Sequence, residues 1–310
     1  MSHYALRAGV LSLIAEGMRM TQFTRARASL CYHSRVVCHI GNPGLEPRAL
    51  CRERRRSTLH MRSVRLLNFT DPHLYGDARE RLRGVETLPA LERAVAHARR
   101  NHWTMDAFLV TGDIVQDDAG GYAHFRRVFG ELGKPVYCIP GNHDELDAMR
   151  EALKDEPFRL HGHYDLDGWR IVLLDSCVPG AAGGRLTEDT LAALDAALAD
   201  ARGRHAFIAL HHHPVRMSSR WLDQVGLENA DEFFRVLERH DSVRAVLWGH
   251  VHQAFDRMRG RVRLLSTPST CTQFLPRSED FAVDPKPPAY RTLELHGDGT
   301  IGTEVIWVPE

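Results

Sequence analysis

From Val64 onward the chain alternates short apolar runs with segments whose apolar positions recur at helical spacing. VRLLNFT from Val64, DAFLVTG from Asp106, KPVYCIPG from Lys134, WRIVLLD from Trp169, HAFIALH from His205 and VRAVLWG from Val243 are apolar at consecutive positions. That is the pattern of strands buried on both faces rather than of strands with one wet side. Between them the periodicity predicts helices over about 85–100, 122–132, 188–201 and 230–239. Toward the C-terminus the pattern changes: RVRLLSTPS and YRTLELHGDGTIGTEVIWV read as strands and turns, with HGDGT a hairpin signal. Apolar strands separated by helices predict an α/β domain whose sheets are covered on both sides. No internal repeat is visible, and one domain is expected over 61–310.

The first 60 residues do not share this pattern. They are rich in Arg, contain no Lys, and carry Cys31, Cys38 and Cys51. The one helix-like piece, around Ala5 to Met18, is short, and no clean apolar core with a small-residue cleavage site marks a secretory signal. These residues are expected to form an upstream extension with no fold of its own, and Met61, which opens directly into a strand, is a candidate initiator. A chain begun at Met61 should then keep full activity and melt at a similar temperature, and limited proteolysis should cut first near Arg54. A shortened chain that cannot fold would refute this.

Composition narrows the functional classes. Of 310 residues, 43% are apolar and 26% charged, and the formal net charge is +0, so bulk electrostatics draw the chain to neither nucleic acid nor a membrane. No apolar run approaches the roughly 18 residues of a membrane-spanning helix. The 6 cysteines lack C-x-x-C spacing, which argues for a reducing cytoplasm and against a disulfide framework or zinc knuckle. Histidine is the exception: 19 residues, and many of them at strand ends.

Those strand ends carry the chemistry. Asp71 and His73 follow the first strand in TDPH, Asp113 the second in TGD, and Asn142 and His143 the third in PGNHD; HHHP at 211–214 follows HAFIAL, and His250 and His252 follow VRAVLW in WGHVHQ. Any one of these is a plausible turn or solvated loop. Five in order, each at the carboxyl end of a predicted strand where α/β sheets gather their sites, point to one locus. Oxygen and nitrogen donors without cysteine suit Fe, Mn, Zn or Co. They are too many for one tetrahedral ion. They suffice for two ions sharing a carboxylate, an arrangement suited to phosphoester hydrolysis. In an extended strand His250 and His252 would share a face; in a turn they would splay toward two points.

The order D-x-H, G-D, G-N-H-D, H, G-H-x-H from Asp71 to His252 resembles the calcineurin-like metallophosphoesterases. LHHHPVRMSSRWLDQVGLEN, LLSTPSTCTQFLP and YRTLELHGDGTIGTEV are similar to segments of the bacterial class III 3′,5′-cyclic AMP phosphodiesterases, and that resemblance runs from about residue 62 to the end. It implies a four-layer α-β-β-α sandwich of the metallophosphoesterase type. It implies two divalent ions, Fe²⁺ and/or Mn²⁺, with Asp71, His73 and His252 on one, Asn142, His211 and His250 on the other, and Asp113 bridging. His211 is the ligand of HHHP by this resemblance; strand alternation keeps His213 in view. His143 would contact the phosphate and protonate the departing ribose oxygen, with Asp144 either orienting it or capping a turn. Phe274 is available for stacking on a purine or for the core. The expected substrate is cyclic AMP, with no nucleic-acid or membrane partner and the oligomeric state left open.

Two other readings stand beside this one. A broader phosphodiesterase or nucleotidase of the same superfamily would carry the same donors. A cyclic-nucleotide sensor without turnover would need no second ion. A protein serine/threonine phosphatase fits less well, because the chain has GDIVQDD and GNHD where those have GDYVDRG and GNHE.

Overall fold

The computed structural model describes residues 62–102 and 104–309; the expected N-terminal extension lies outside them. In chain order the elements are β1 (Val64–Phe69), β2 (Arg81–Leu82), β3 (Val85–Glu86), α1 (Thr87–Asn101), β4 (Ala107–Thr111), α2 (Gly121–Gly130), β5 (Val136–Ile139), α3 (Leu146–Ala152), β6 (Phe158–Arg159), β7 (Gly162–Leu166) and β8 (Trp169–Leu173). They continue with α4 (Glu188–Ala199), β9 (His205–Leu210), α5 (Ala230–Glu238), β10 (Val243–Trp248), β11 (Phe255–Arg259), β12 (Val262–Ser266), β13 (Gln273–Phe274), β14 (Val283–Asp284), β15 (Ala289–Leu295) and β16 (Ile301–Trp307).

Two six-stranded sheets result, ordered β16-β15-β1-β4-β5-β6 and β11-β12-β10-β9-β8-β7. In the first sheet β1, β4, β5 and the edge strand β6 are parallel and antiparallel β15 and β16 close the other edge; in the second β8, β9, β10 and β12 are parallel and antiparallel β7 and β11 close both edges. The consecutive apolar positions have a simple cause: alternate side chains enter two different cores. In β1, Val64 and Leu66 point into the layer between the sheets with Leu109, Ile171 and Leu247, while Leu67 and Phe69 point outward onto a core shared with Leu91 of α1 and Phe125 and Phe129 of α2. In β10, Ala245 and Leu247 face the first sheet, and Val246 and Trp248 pack with Leu194 and Leu198 of α4 and Phe233 and Leu237 of α5. Three cores between four layers are the expected α-β-β-α sandwich.

Two buried polar groups tie the sheets together. The Trp169 indole N–H donates to the His296 carbonyl at 2.9 Å. Arg291 on β15 donates to the carbonyls of Ser266, 2.7 Å, and Phe255, 3.3 Å, on the facing sheet. Burial pushes that guanidinium down to about 10, and the carbonyls supply the partners that a desolvated cation requires.

The four predicted helices and the HGDGT hairpin between β15 and β16 lie within a few residues of their expected places. α3 and the β7 and β11 strands are additions. β11, FDRMR, is an exposed edge with four of its five residues in solvent, so no apolar pattern marks it.

Candidate metal centre

β1, β4 and β5 of one sheet, and β9 and β10 of the other, run parallel within their sheets and end on the same rim. The loop after each strand turns sharply there. Asp71, His73, Asp113, His250 and His252 all have positive φ, between 47° and 65°, a conformation uncommon in non-glycine residues and concentrated at functional sites. The loops touch through backbone: Asp71 N–H donates to Gly112 O at 3.0 Å, and His73 N–H to Asp113 O at 3.0 Å. The glycines of the GD and GH pairs permit this approach. Gly112 has φ 95°, and a Cβ there would sit 2.8 Å from the Gly141 nitrogen. A Cβ on Gly249 would sit 2.6 Å from the Thr111 carbonyl oxygen and 2.9 Å from an Asp71 carboxylate oxygen.

All seven expected donors meet at this rim. Donor atoms of Asp71, His73 and His252 lie within 4.8 Å of one another, as do those of Asp71, Asp113 and His211. The Asp113 carboxylate is 3.3 Å from His211 Nε2 and 3.7 Å from His73 Nε2, so it stands between the two groups. Asn142 Oδ1 is 3.2 Å from His211 Nε2, and the His250 ring lies 5.0 Å from that of His211. The two histidines of GHVH lie past the end of β10 and splay: His252 Nε2 approaches Asp71 at 3.3 Å and His73 Nε2 at 3.1 Å, whereas His250 turns to His211.

The polar environment suits cations. His211 Nδ1 bonds to Thr111 O at 2.8 Å and His252 Nδ1 to Thr272 O at 2.7 Å, which fixes the tautomer and leaves each Nε2 as a lone-pair donor. Nδ1 of His73 and Nε2 of His250 are buried without a hydrogen-bond partner. Burial pushes His73 down to about 4 and His250 well below the usual imidazole range, the latter helped by His212 and His211, so both stay neutral. Burial would raise Asp113, but His211 and then His73 outweigh it and hold the carboxyl well below its usual range. Asp71 is lowered in the same way by His252 against its burial. His211 is pushed up to about 9 by Asp113 and Asp71 despite burial. Ionised carboxylates and neutral imidazoles suit divalent ions, and an ion bound at His211 Nε2 would displace the proton that Asp113 and Asp71 otherwise hold there.

Three alternatives left open by the sequence can be compared with the structure. β9 ends at Leu210, so strand alternation does not reach HHHP: His211 joins Asp113 and Asn142, while His213 stacks on His250 at 5.6 Å. Asp144 does not orient His143. It accepts from Gly141, Ile114 and Val115 N–H and from Tyr122 OH, 2.9 to 3.1 Å, and so holds the loop. The partner of His143 Nδ1 is Asp117 at 3.0 Å; Gln116 Nε2 donates to the same Asp117 oxygen at 2.7 Å and lies 2.8 Å from Nδ1. Phe274 lies flat on the His252 ring, 3.9 Å between centroids and 6° between planes, so it braces a donor. The sequence also passes over His212, whose ring nitrogen can join His211 and His250. Its Nδ1 bonds to Ser176 Oγ at 2.8 Å, and its Nε2 is unpartnered.

Strand-end donors from two sheets, arranged around a shared carboxylate beneath a histidine, define a two-metal phosphoesterase type of site. The calcineurin-like phosphoesterase family profile matches residues 64–254. The chain belongs to that family. It is 42% identical over 244 residues to the 3′,5′-cyclic adenosine monophosphate phosphodiesterase CpdA of Pseudomonas aeruginosa, spanning 78% of this chain and 89% of that one. The Escherichia coli K12 protein of the same name is 41% identical over the same shares. Among solved structures, a dimetal phosphatase from Danio rerio shares the fold at TM-score 0.57 and 14% identity, covering 79% of this chain and 99% of that one.

Proposed function

We propose that the chain hydrolyses 3′,5′-cyclic AMP to 5′-AMP at a pair of divalent ions, with iron and manganese the expected metals and the cytoplasm the expected compartment. The convergence of Asp71, His73, Asp113, Asn142, His211, His250 and His252 on one rim carries this reading. The similarity to cyclic AMP phosphodiesterases supplies the substrate. No helix among the described residues is long and apolar enough to cross a membrane.

Asp71, His73 and His252 would hold one ion and Asn142, His211 and His250 the other, with Asp113 shared. When bound, such ions polarise the phosphoryl group, neutralise its developing charge and lower the pKa of water. The remaining work falls to protein groups. His143 N–H donates to Asp113 Oδ1 at 2.9 Å, which fixes the histidine's backbone to the shared carboxylate. Its ring sits 5.4 Å from that of His73, with the side chain 34% exposed, so it borders both the donors and the opening. With Nδ1 taken by Asp117, Nε2 is the nitrogen that serves the substrate. As water oxygen bonds to phosphorus and the bond to the 3′ oxygen breaks, that oxygen takes the Nε2 proton. The phosphate remains on the 5′ carbon, and the product is 5′-AMP.

The test is turnover by protein reconstituted with Mn²⁺ on a panel of cyclic AMP, cyclic GMP, cyclic dinucleotides and glycerophosphodiesters. Preferred hydrolysis of cyclic AMP with 5′-AMP as product is expected. Binding without turnover would make the chain a sensor, and a flat profile would make it a general phosphodiesterase.

Asp117 acts through His143 as a positioning residue. Asp117→Asn should lower kcat on cyclic AMP about 10–100-fold, the usual scale of outer-shell changes, while KM and bound metal stay near wild type. Loss of metal from this variant would place Asp117 at the ions instead.

A further inference from the structure

The proton from His143 goes to the 3′ oxygen, so the ribose must lie on the His143 side of the phosphate and the base beyond it. On that side stands Asp117, 3.0 Å from His143 Nδ1, and Tyr75 follows His73 by two residues. Phe274 cannot receive the base on the face that covers His252. It is instead the inner member of an aromatic group: Trp221 and Phe281 each pack edge-on against it at 5.3 Å, and Trp221 meets Phe281 at 5.2 Å. Phe281 is the outer member, 41% exposed, and Arg83 lies over its ring at 4.8 Å.

Arg83 is unusual for a surface arginine. It sits at the turn between β2 and β3 with φ 50°. Among the described residues its guanidinium forms no ion pair, although Glu86 on the same hairpin pairs with Arg81 at 3.1 Å. Its planar face and its hydrogen-bond donors are therefore committed to nothing but the Phe281 ring. A guanidinium stacked on an aromatic ring offers a purine both a flat contact and donors for its ring nitrogens.

We infer that Arg83 and Phe281 form the subsite for the adenine ring, so that preference for a purine cyclic nucleotide is set at this rim pair. This rests on the reading of the chain as a cyclic AMP phosphodiesterase. The pair is continuous with the centre through Phe274, which contacts Phe281 at 5.3 Å and the His252 ring at 3.9 Å. Phe281 packs against Trp221 and Phe274, and Arg83 reaches its ring from the two-residue turn between β2 and β3.

The experiment compares wild type, Phe281→Ala, Phe281→Trp, Arg83→Ala and Arg83→Lys, all reconstituted with Mn²⁺, on cyclic AMP and on abasic ribose 3′,5′-cyclic phosphate. For Phe281→Ala and Arg83→Ala the preference in kcat/KM for cyclic AMP over the abasic substrate should collapse by about tenfold or more, the scale of one base–aromatic stack. The change should lie in KM. Phe281→Trp should retain the preference, and Arg83→Lys, lacking the plane, should not. Equal losses on both substrates, or an unchanged preference, would overturn the subsite. Failure of wild type to hydrolyse cyclic AMP, with the abasic substrate still turned over, would overturn the functional reading instead.

Discussion

Asp113→Ala is expected to empty both metal positions at once and to reduce hydrolysis of cyclic AMP by more than about 10²-fold, beyond the 10–100-fold cost of losing an outer-shell contact. Its carboxylate stands between His73 and His211 and also accepts the His143 N–H. Among the described residues no other carboxylate takes that place: Asp71 is engaged by Thr70 Oγ1 and the His250 N–H. Removing the bridge also takes from buried His211 the closer-acting of the two carboxylates that hold its proton. Elemental analysis of the loaded protein should fall from two ions per chain to near zero. His252→Ala should mainly weaken one ion, since its Nε2 approaches only Asp71 and His73. One tightly held ion per chain in fully loaded wild type would rule out the paired arrangement.

His143→Ala should lower turnover of cyclic AMP about 10²–10⁴-fold, the usual scale of general acid catalysis, while bound metal stays near wild type. A ribose alkoxide leaves poorly without a proton; nitrophenolate leaves readily as an anion. Hydrolysis of bis(p-nitrophenyl) phosphate should therefore suffer much less. The split between substrates identifies the role. A metal ligand would lose both activities together with the ion, and a group that only binds phosphate would weaken both substrates alike. Equal losses with metal retained would remove the proton-donor role.

Two-sided burial made the inner strands legible. VRLLNF and VRAVLW place alternate residues in separate cores, and no other common setting demands so continuous an apolar run. The donors were legible because each strand end breaks abruptly from apolar to His, Asp or Asn. The partner of His143 was not. Asp117 lies 26 positions away and reaches the histidine only because the loops after β4 and β5 run side by side, whereas adjacent Asp144 turns inward to backbone N–H groups. Phe274 was ambiguous for a related reason: its sequence neighbours do not say that the loop after β12 passes under His252 and accepts its Nδ1–H at Thr272 O. Seven-residue α3 is too short for its periodicity to stand out, and β11 is an edge of charged residues.

The left-handed backbone at Asp71, His73, Asp113, His250 and His252 sets evolvability against activity. Each such residue costs on the order of 1–3 kcal/mol, which the surrounding packing must supply. Glycine would relieve that cost at any of the five positions and remove the donor with it. Selection for thermostability alone would therefore favour inactive chains, and a screen for robust variants of this protein has to score turnover in the same round.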